Sequence, residues 1–218
     1  MTGNLLLNER PQPNEHAPYF SRYIELVPAR PLAQLFHEQL EEVREFCSGV
    51  SEERAAIVDS PYRWTFKQVL GHMLDTERVF GYRANRVAAG DQTWLPGFDE
   101  NALVAGLDYR DVTLASLVEE LLYLRFSNSY LFDRLNAEQL ARIGVADGKP
   151  ISARACAYVL VGHVEHHLRI RYLAVTTRDR DWAKVAQEAG EPCCSGTHRR
   201  GVGTGCLSWG ALKSGPQR

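Results

Sequence analysis

The chain contains no stretch of about 18 apolar residues, so the sequence predicts no membrane-spanning helix. Near its start the only apolar run is Leu5-Leu6-Leu7. That is too short for the core of a signal peptide, and a cytoplasmic location is the expectation. An excess of one charge is missing as well. Twenty-five basic residues stand against 27 acidic ones for a formal net charge of −2. This argues against nucleic-acid binding as the main role, and so against a DNA-damage protein acting directly on DNA. No CxxC pair occurs among the five cysteines. A cysteine zinc site and a secreted disulfide framework are therefore not expected. Cys47 and Cys156 fall within helical patterns and read as small apolar side chains, whereas Cys193, Cys194 and Cys206 lie near the C-terminus. Sustained apolar–polar alternation is absent too, so no strand is required.

Helical periodicity is plentiful. Residues 1–29 are interrupted by Pro11, Pro13, Pro18 and Pro28, but Tyr19, Phe20, Tyr23, Ile24 and Leu26 can pack a turn or short helix against the body. A first long helix is predicted from about Pro31, suited to a first-turn position, to Cys47, on the stripe Leu32, Leu35, Phe36, Leu40, Val43 and Phe46. A second opens at Thr65, where Thr65 and Gln68 form a capping box, and continues to about Ala89 before Gly90. A linker of about 22 residues then carries Pro96-Gly97, Asp99 and Gly106, long enough to cross a bundle end. The third helix spans about Thr113 to Leu135. The fourth follows Gly148-Lys149-Pro150, with Ser152 as N-cap, and ends near Val175. Four long helices with polar outer faces predict an all-α four-helix bundle over residues 30–175. Residues 1–29 form an N-terminal extension packed on it. Residues 176–218, rich in glycine and lacking apolar periodicity, read as a disordered tail. Leu122 and Phe126 would give the third helix a second apolar face, which permits a homodimer.

The fourth helix carries His163-Val164-Glu165-His166-His167. Residues four apart share a helix face, so the imidazoles of His163 and His167 can reach one point. A zinc-protease HExxH motif would need glutamate where Val164 stands. His166 lies about 100° around the helix from His167 and falls on the flank of the stripe Val159, Leu160, Ile170 and Ala174. His72, in Leu70-Gly71-His72-Met73-Leu74, is the other histidine in a comparable apolar pattern; His16, His37 and His198 lack such a context. Two readings stand open on pattern alone. Inward histidines serve as hydrogen-bonded core residues, or two imidazoles side by side share a metal, which removes both the unsatisfied polar atoms and the repulsion on protonation.

The chain resembles the DinB/YfiT-like superfamily of metal-dependent proteins. The likeness rests on Trp64-Thr65, the run Gly71-His72-Met73-Leu74-Asp75-Thr76-Glu77-Arg78-Val79-Phe80 with Tyr82-Arg83, Pro96-Gly97-Phe98-Asp99, and Gly162-His163-Val164-Glu165-His166-His167-Leu168. Pro18-Tyr19-Phe20 and Tyr23-Ile24 are also similar, so coverage runs over roughly residues 11–175. The resemblance implies a four-helix bundle in up-down-down-up order, with a long connection between the second and third helices. It also implies a divalent metal (zinc first, with nickel or iron as alternatives) held by His72, His163 and His167.

Three protein ligands with an open position mark a catalytic rather than a structural metal. Zinc in such a site lowers the pKa of a bound water from ~15.7 to ~7 and stabilises a thiolate equally well. The expected function is a metal-dependent enzyme, a thiol S-transferase or hydrolase, that activates a small thiol or water for attack on a small molecule. The alternative is a non-catalytic metal-binding bundle protein of stress response. Among supporting groups, Asp75 and Glu165 are candidate acceptors for imidazole N–H groups, with solvated positions as the plainer reading. Trp94 and Phe98 are candidates to wall the metal mouth, and Tyr82-Arg83 to hold an anionic group of the substrate. Glu77 lies about 140° around its helix from His72, which suits an outward or interhelical ion pair with Arg78, Arg83 or Arg169 rather than a ligand.

Overall fold

The computed structural model describes residues 8–58 and 63–176, with side chains up to residue 169. The tail beyond Thr176, and the side chains of Ile170 and Ala174 on the predicted stripe, lie outside the described residues. In chain order the helices are α1 (Ser21–Ile24), α2 (Leu32–Ser48), α3 (Glu52–Ala55), α4 (Phe66–Ala88), α5 (Glu100–Leu107), α6 (Leu114–Asp133), α7 (Ala137–Ala141) and α8 (Ala153–Thr176). Strands β1 (Ile143–Ala146) and β2 (Lys149–Ser152) precede α8. The long helices α2, α4, α6 and α8 form the bundle. α4 packs between α6 and α8, and α2 closes the ring against the same two.

Their starts follow from capping. Thr65 and Gln68 satisfy each other's backbone N–H groups at the head of α4. Thr113 Oγ1 accepts from Ser116 N at 3.2 Å, and Ser152 Oγ from Ala155 N at 2.9 Å. Pro31 sits at the N-cap of α2, one position before the first turn. α4 stops at Gly90, whose φ of 84° favours a residue without Cβ.

The core has two apolar halves separated by a polar belt. Phe36, Phe80, Phe132 and Leu160 belong to one half. Val43, Leu70, Leu117 and Val164 belong to the other. Between them lie Gln39, Glu77 and Arg125. Arg125 pairs with Glu77, donates to Gln39 Oε1 at 2.6 Å and reaches Leu160 O at 3.4 Å. Asn128 donates to Glu77 Oε2 at 2.7 Å, and Gln39 Nε2 to Val161 O at 3.1 Å. All four long helices thus meet in one buried network. Along the chain, α2 and α8 pass from the first half to the second, whereas α4 and α6 pass from the second to the first. That is the up-down-down-up order.

Parallel α4 and α6 need a connection that returns the length of the bundle, roughly 30 Å for a 20-residue helix. The linker therefore does not merely cross a bundle end. It runs back along α4 as α5 and a 3-10 turn at Tyr109–Asp111. Strands are present as well, although the sequence requires none. β1 and β2 form a hairpin closed by Asp147 and Gly148, with φ of 52° and 68°. Two consecutive positive φ values suit an Asp-Gly turn that matches the strand twist.

The N-terminal segment lies on the bundle. α1 packs against α8, and Ile24 enters the core. Arg154 of α8 grips Glu15 through Nε at 3.2 Å and an η-nitrogen at 2.6 Å, while Ser152 Oγ donates to the same carboxylate at 2.7 Å. On α6, Leu122 packs half-buried against the second core half, and Phe126 stands exposed beside Tyr130. No helix of the described residues is long and apolar enough to cross a membrane.

Candidate metal centre

The Thr65 cap sets the phase of α4, and two turns on, His72 points into the second half of the core. On the facing helix α8, His163 and His167 stand one turn apart. His72 Nε2 lies 2.9 Å from His163 Nε2, and His167 Nε2 lies 3.1 Å from the same atom. The three ligand atoms all fall within 4.8 Å of one another. Close helix backing holds them there. A Cβ on Gly71 would overlap the ring of Tyr109, and a Cβ on Gly162 would overlap the backbone carbonyl of Tyr23. The residue before each of His72 and His163 is therefore bare so that a tyrosine segment can press on the helix.

The donor set fits a divalent cation. Burial, then the charge of His166, lowers the His72 pKa to about 4. Burial, reinforced by His72, His166 and Arg125, holds His163 well below the ordinary range. Both are neutral at pH 7, the form that ligates. His163 Nε2 carries either a proton or a lone pair, yet two other Nε2 atoms lie within hydrogen-bonding distance of it. A hydrogen bond pairs His163 Nε2 with one of these atoms at a time, whereas a single cation takes the lone pairs of all three. Tetrahedral zinc with N at about 2.05 Å sets its ligand atoms roughly 3.3 Å apart, close to the two short edges here. Trp64 lies tilted over His72 at 5.1 Å between ring centroids. Tyr23 meets His163 and His166 edge-on at 5.3 and 5.4 Å. Under His167 lies a cavity of about 10 Å³ lined by Phe46, Phe66, Leu70 and Met73.

The other sequence candidates scatter. Asp75 is buried, not solvated, and accepts from the Tyr109 hydroxyl at 2.6 Å. Glu165 is half-buried and paired with Arg169 at 2.6 Å, not with an imidazole of the cluster. Trp94 is 58% exposed, and its neighbour Leu95 is pinned to the hairpin by a bond to Val145 O at 2.9 Å. There Gly144 abuts Val87, fifteen residues and about 22 Å along α4 from His72. Trp94 and Phe98 therefore do not wall the histidines; Trp64 and Tyr23 do. Arg83 is 3% exposed, donates to Pro96 O at 2.8 Å and lies against Phe80 and Phe98. It is about 16 Å along α4 from His72, too far to hold a group at the three histidines. Tyr82 is exposed beside Arg86. Glu77 forms an interhelical pair, but with Arg125 rather than Arg78, Arg83 or Arg169. His166 packs between Tyr23 and His167, and His16 is buried against Ala17 O at 2.9 Å. A groove of about 540 Å³ lined by Arg44, Cys47, Val50, Glu52, Leu114 and Val118 contains none of the three histidines.

A four-helix bundle with three histidines converging from two facing helices defines the class of protein. The sequence model of the DinB superfamily matches residues 35–170, and the chain belongs to that superfamily. Among solved structures it is similar to YfiT from Bacillus subtilis, described as a probable metal-dependent hydrolase with an unusual four-helix bundle topology. The match has a TM-score of 0.57 and 18% identity, covering 84% of this chain and 94% of YfiT. At that identity the likeness shows the shared fold. A search of curated proteins returned no match.

Proposed function

We propose that His72, His163 and His167 bind one divalent metal ion, zinc first and nickel or iron as alternatives, and that the chain is a metal-dependent enzyme acting on a small molecule. One observation carries this reading: three histidines, two of them neutral buried imidazoles, bring their ligand nitrogens within 4.8 Å of one another. Three nitrogen donors leave a position for an exogenous ligand and suit each of these metals. A divalent ion held there supplies Lewis-acid chemistry and lowers the pKa of a water or thiol beside it. The chain's own groups do the rest. Burial keeps His72 and His163 unprotonated, and Trp64 and Tyr23 exclude water from two sides. The hydrolase description of YfiT supports water as the nucleophile. A low-molecular-weight thiol is the second nucleophile the donor set supports.

The test begins with metal analysis of tag-free protein. Stoichiometric metal is expected, lost in His72→Ala, His163→Ala and His167→Ala, with little change in melting temperature. Metal that survives all three substitutions refutes the site. Ester and amide panels, with and without glutathione, bacillithiol or mycothiol, then choose the nucleophile. Loaded protein without turnover on either panel refutes the enzyme reading and leaves a metal-binding bundle.

A further inference from the structure

We propose that Asp75 positions His72: its Oδ2 accepts the Nδ1–H of the imidazole whose Nε2 faces the metal, with Tyr109 fixing the carboxylate. This rests on the metal reading above. Two buried side-chain atoms on α4, His72 Nδ1 and Asp75 Oδ2, have no hydrogen-bond partner among the described residues. They are one donor and one acceptor, three residues apart on one helix face. If Nε2 presents its lone pair to a metal, the proton must sit on Nδ1, and a buried N–H needs an acceptor. The neighbouring Thr76 hydroxyl donates to His72 O at 2.9 Å and does not meet His72 Nδ1. Asp75 Oδ1 is taken by the Tyr109 hydroxyl at 2.6 Å, with Arg78 at 4.0 Å. Oδ2 is left.

Tyr109 is itself located by the metal helix, because its ring fills the space beside Gly71. The residue preceding the ligand thus sets the tyrosine, the tyrosine sets the carboxylate, and the carboxylate sets the ring. A cation on Nε2 makes Nδ1–H a stronger donor, so metal binding and the closing of this bond favour each other.

The test compares wild type with Asp75→Asn, Tyr109→Phe and His72→Ala by zinc affinity against a competing chelator, and by NMR of the His72 ring in the zinc-loaded state. In Asp75→Asn, Tyr109 claims the single amide oxygen and an N–H is left facing an N–H. A rise in zinc Kd of roughly 10–100-fold is expected, with the metal-free melting temperature unchanged. A slowly exchanging, downfield Nδ1 proton of His72 is expected in wild type, shifted in Tyr109→Phe and lost in Asp75→Asn. Loss of zinc in His72→Ala with Asp75→Asn within threefold of wild type would overturn the role of Asp75 and leave the metal site standing. Absence of the Nδ1 proton from zinc-loaded wild type would overturn it even if no Asp75 variant folds. A wild type that takes no zinc, nickel or iron would overturn both.

Discussion

Replacing Glu77 by leucine removes one charge from the middle of the bundle and leaves the other. The Glu77 and Arg125 side chains are 2% and 0% exposed. Arg125 keeps Gln39 Oε1 and Leu160 O, two neutral acceptors, in exchange for a carboxylate. Breaking one partner of a buried pair costs about 3–5 kcal/mol, chiefly because the survivor is an uncompensated buried charge. For a domain of 150–250 residues that is roughly 6–20 °C of melting temperature, at 2–4 °C per kcal/mol. Arg125→Met should cost a similar amount, since it leaves the Glu77 carboxylate with Asn128 alone. The double variant should recover much of the loss, because no charge remains buried. Urea unfolding of the four proteins at pH 7 gives the cycle. Single variants costing under about 1 kcal/mol, or a double variant equal to their sum, would refute the view that this pair is a coupled buried unit.

Gly162→Ala should push the Tyr23 carbonyl away from α8. A stability loss of about 1–3 kcal/mol is expected by thermal melting and, if the proposed site holds a metal, weaker divalent-metal binding as the ring of Tyr23 leaves His163. An alanine variant with wild-type affinity for a divalent metal would show that Tyr23 is not part of the site's support. For acid sensitivity the group is Glu15. Burial alone would raise its pKa, but hydrogen bonds from Arg154 and Ser152 outweigh burial and hold it below the ordinary value of 4.5. A depressed folded pKa gives stability that is present above 4.5 and lost as pH falls through the folded value. Glu15→Gln should therefore flatten the acid side of a urea-midpoint profile while lowering the plateau; an unchanged acid slope would refute this.

Much of this architecture is legible in the sequence because its signals are local. Thr65 with Gln68, Thr113 and Ser152 are caps that act within one turn, and the apolar stripes repeat every three or four residues. His163 and His167 can be paired from spacing alone. What depends on topology is not readable in that way. Trp64 and Trp94 both lie next to turn formers, and only the path of the chain decides that Trp64 reaches His72. Glu77 and Arg125 are 48 residues apart on different helices. A signal did exist: Arg125 continues the series Leu117, Leu121, as Glu77 sits between Met73 and Phe80 and Gln39 between Phe36 and Val43. A polar residue at an inward position on each of three helices predicts a buried network, though not its partners. Four-residue strands show too little alternation to mark the hairpin, although its Asp147-Gly148 turn is readable.

The parallel run of α4 and α6 explains more than a long linker. A tight hairpin cannot join helices that point the same way, so the chain must travel back along α4 before α6 begins. That return path carries Tyr109 to Gly71, beside His72 and against Asp75. On the opposite helix the N-terminal segment carries Tyr23 to Gly162, beside His163. Two glycine–histidine pairs, on two helices, are each pressed by a tyrosine from outside the four long helices. Metal geometry is exacting, with ligand distances held within about 0.2 Å. The two tyrosine contacts, at positions where only glycine leaves room, restrict how far α4 and α8 can shift. The accuracy of the three-histidine cluster therefore depends on segments that contribute none of its ligands.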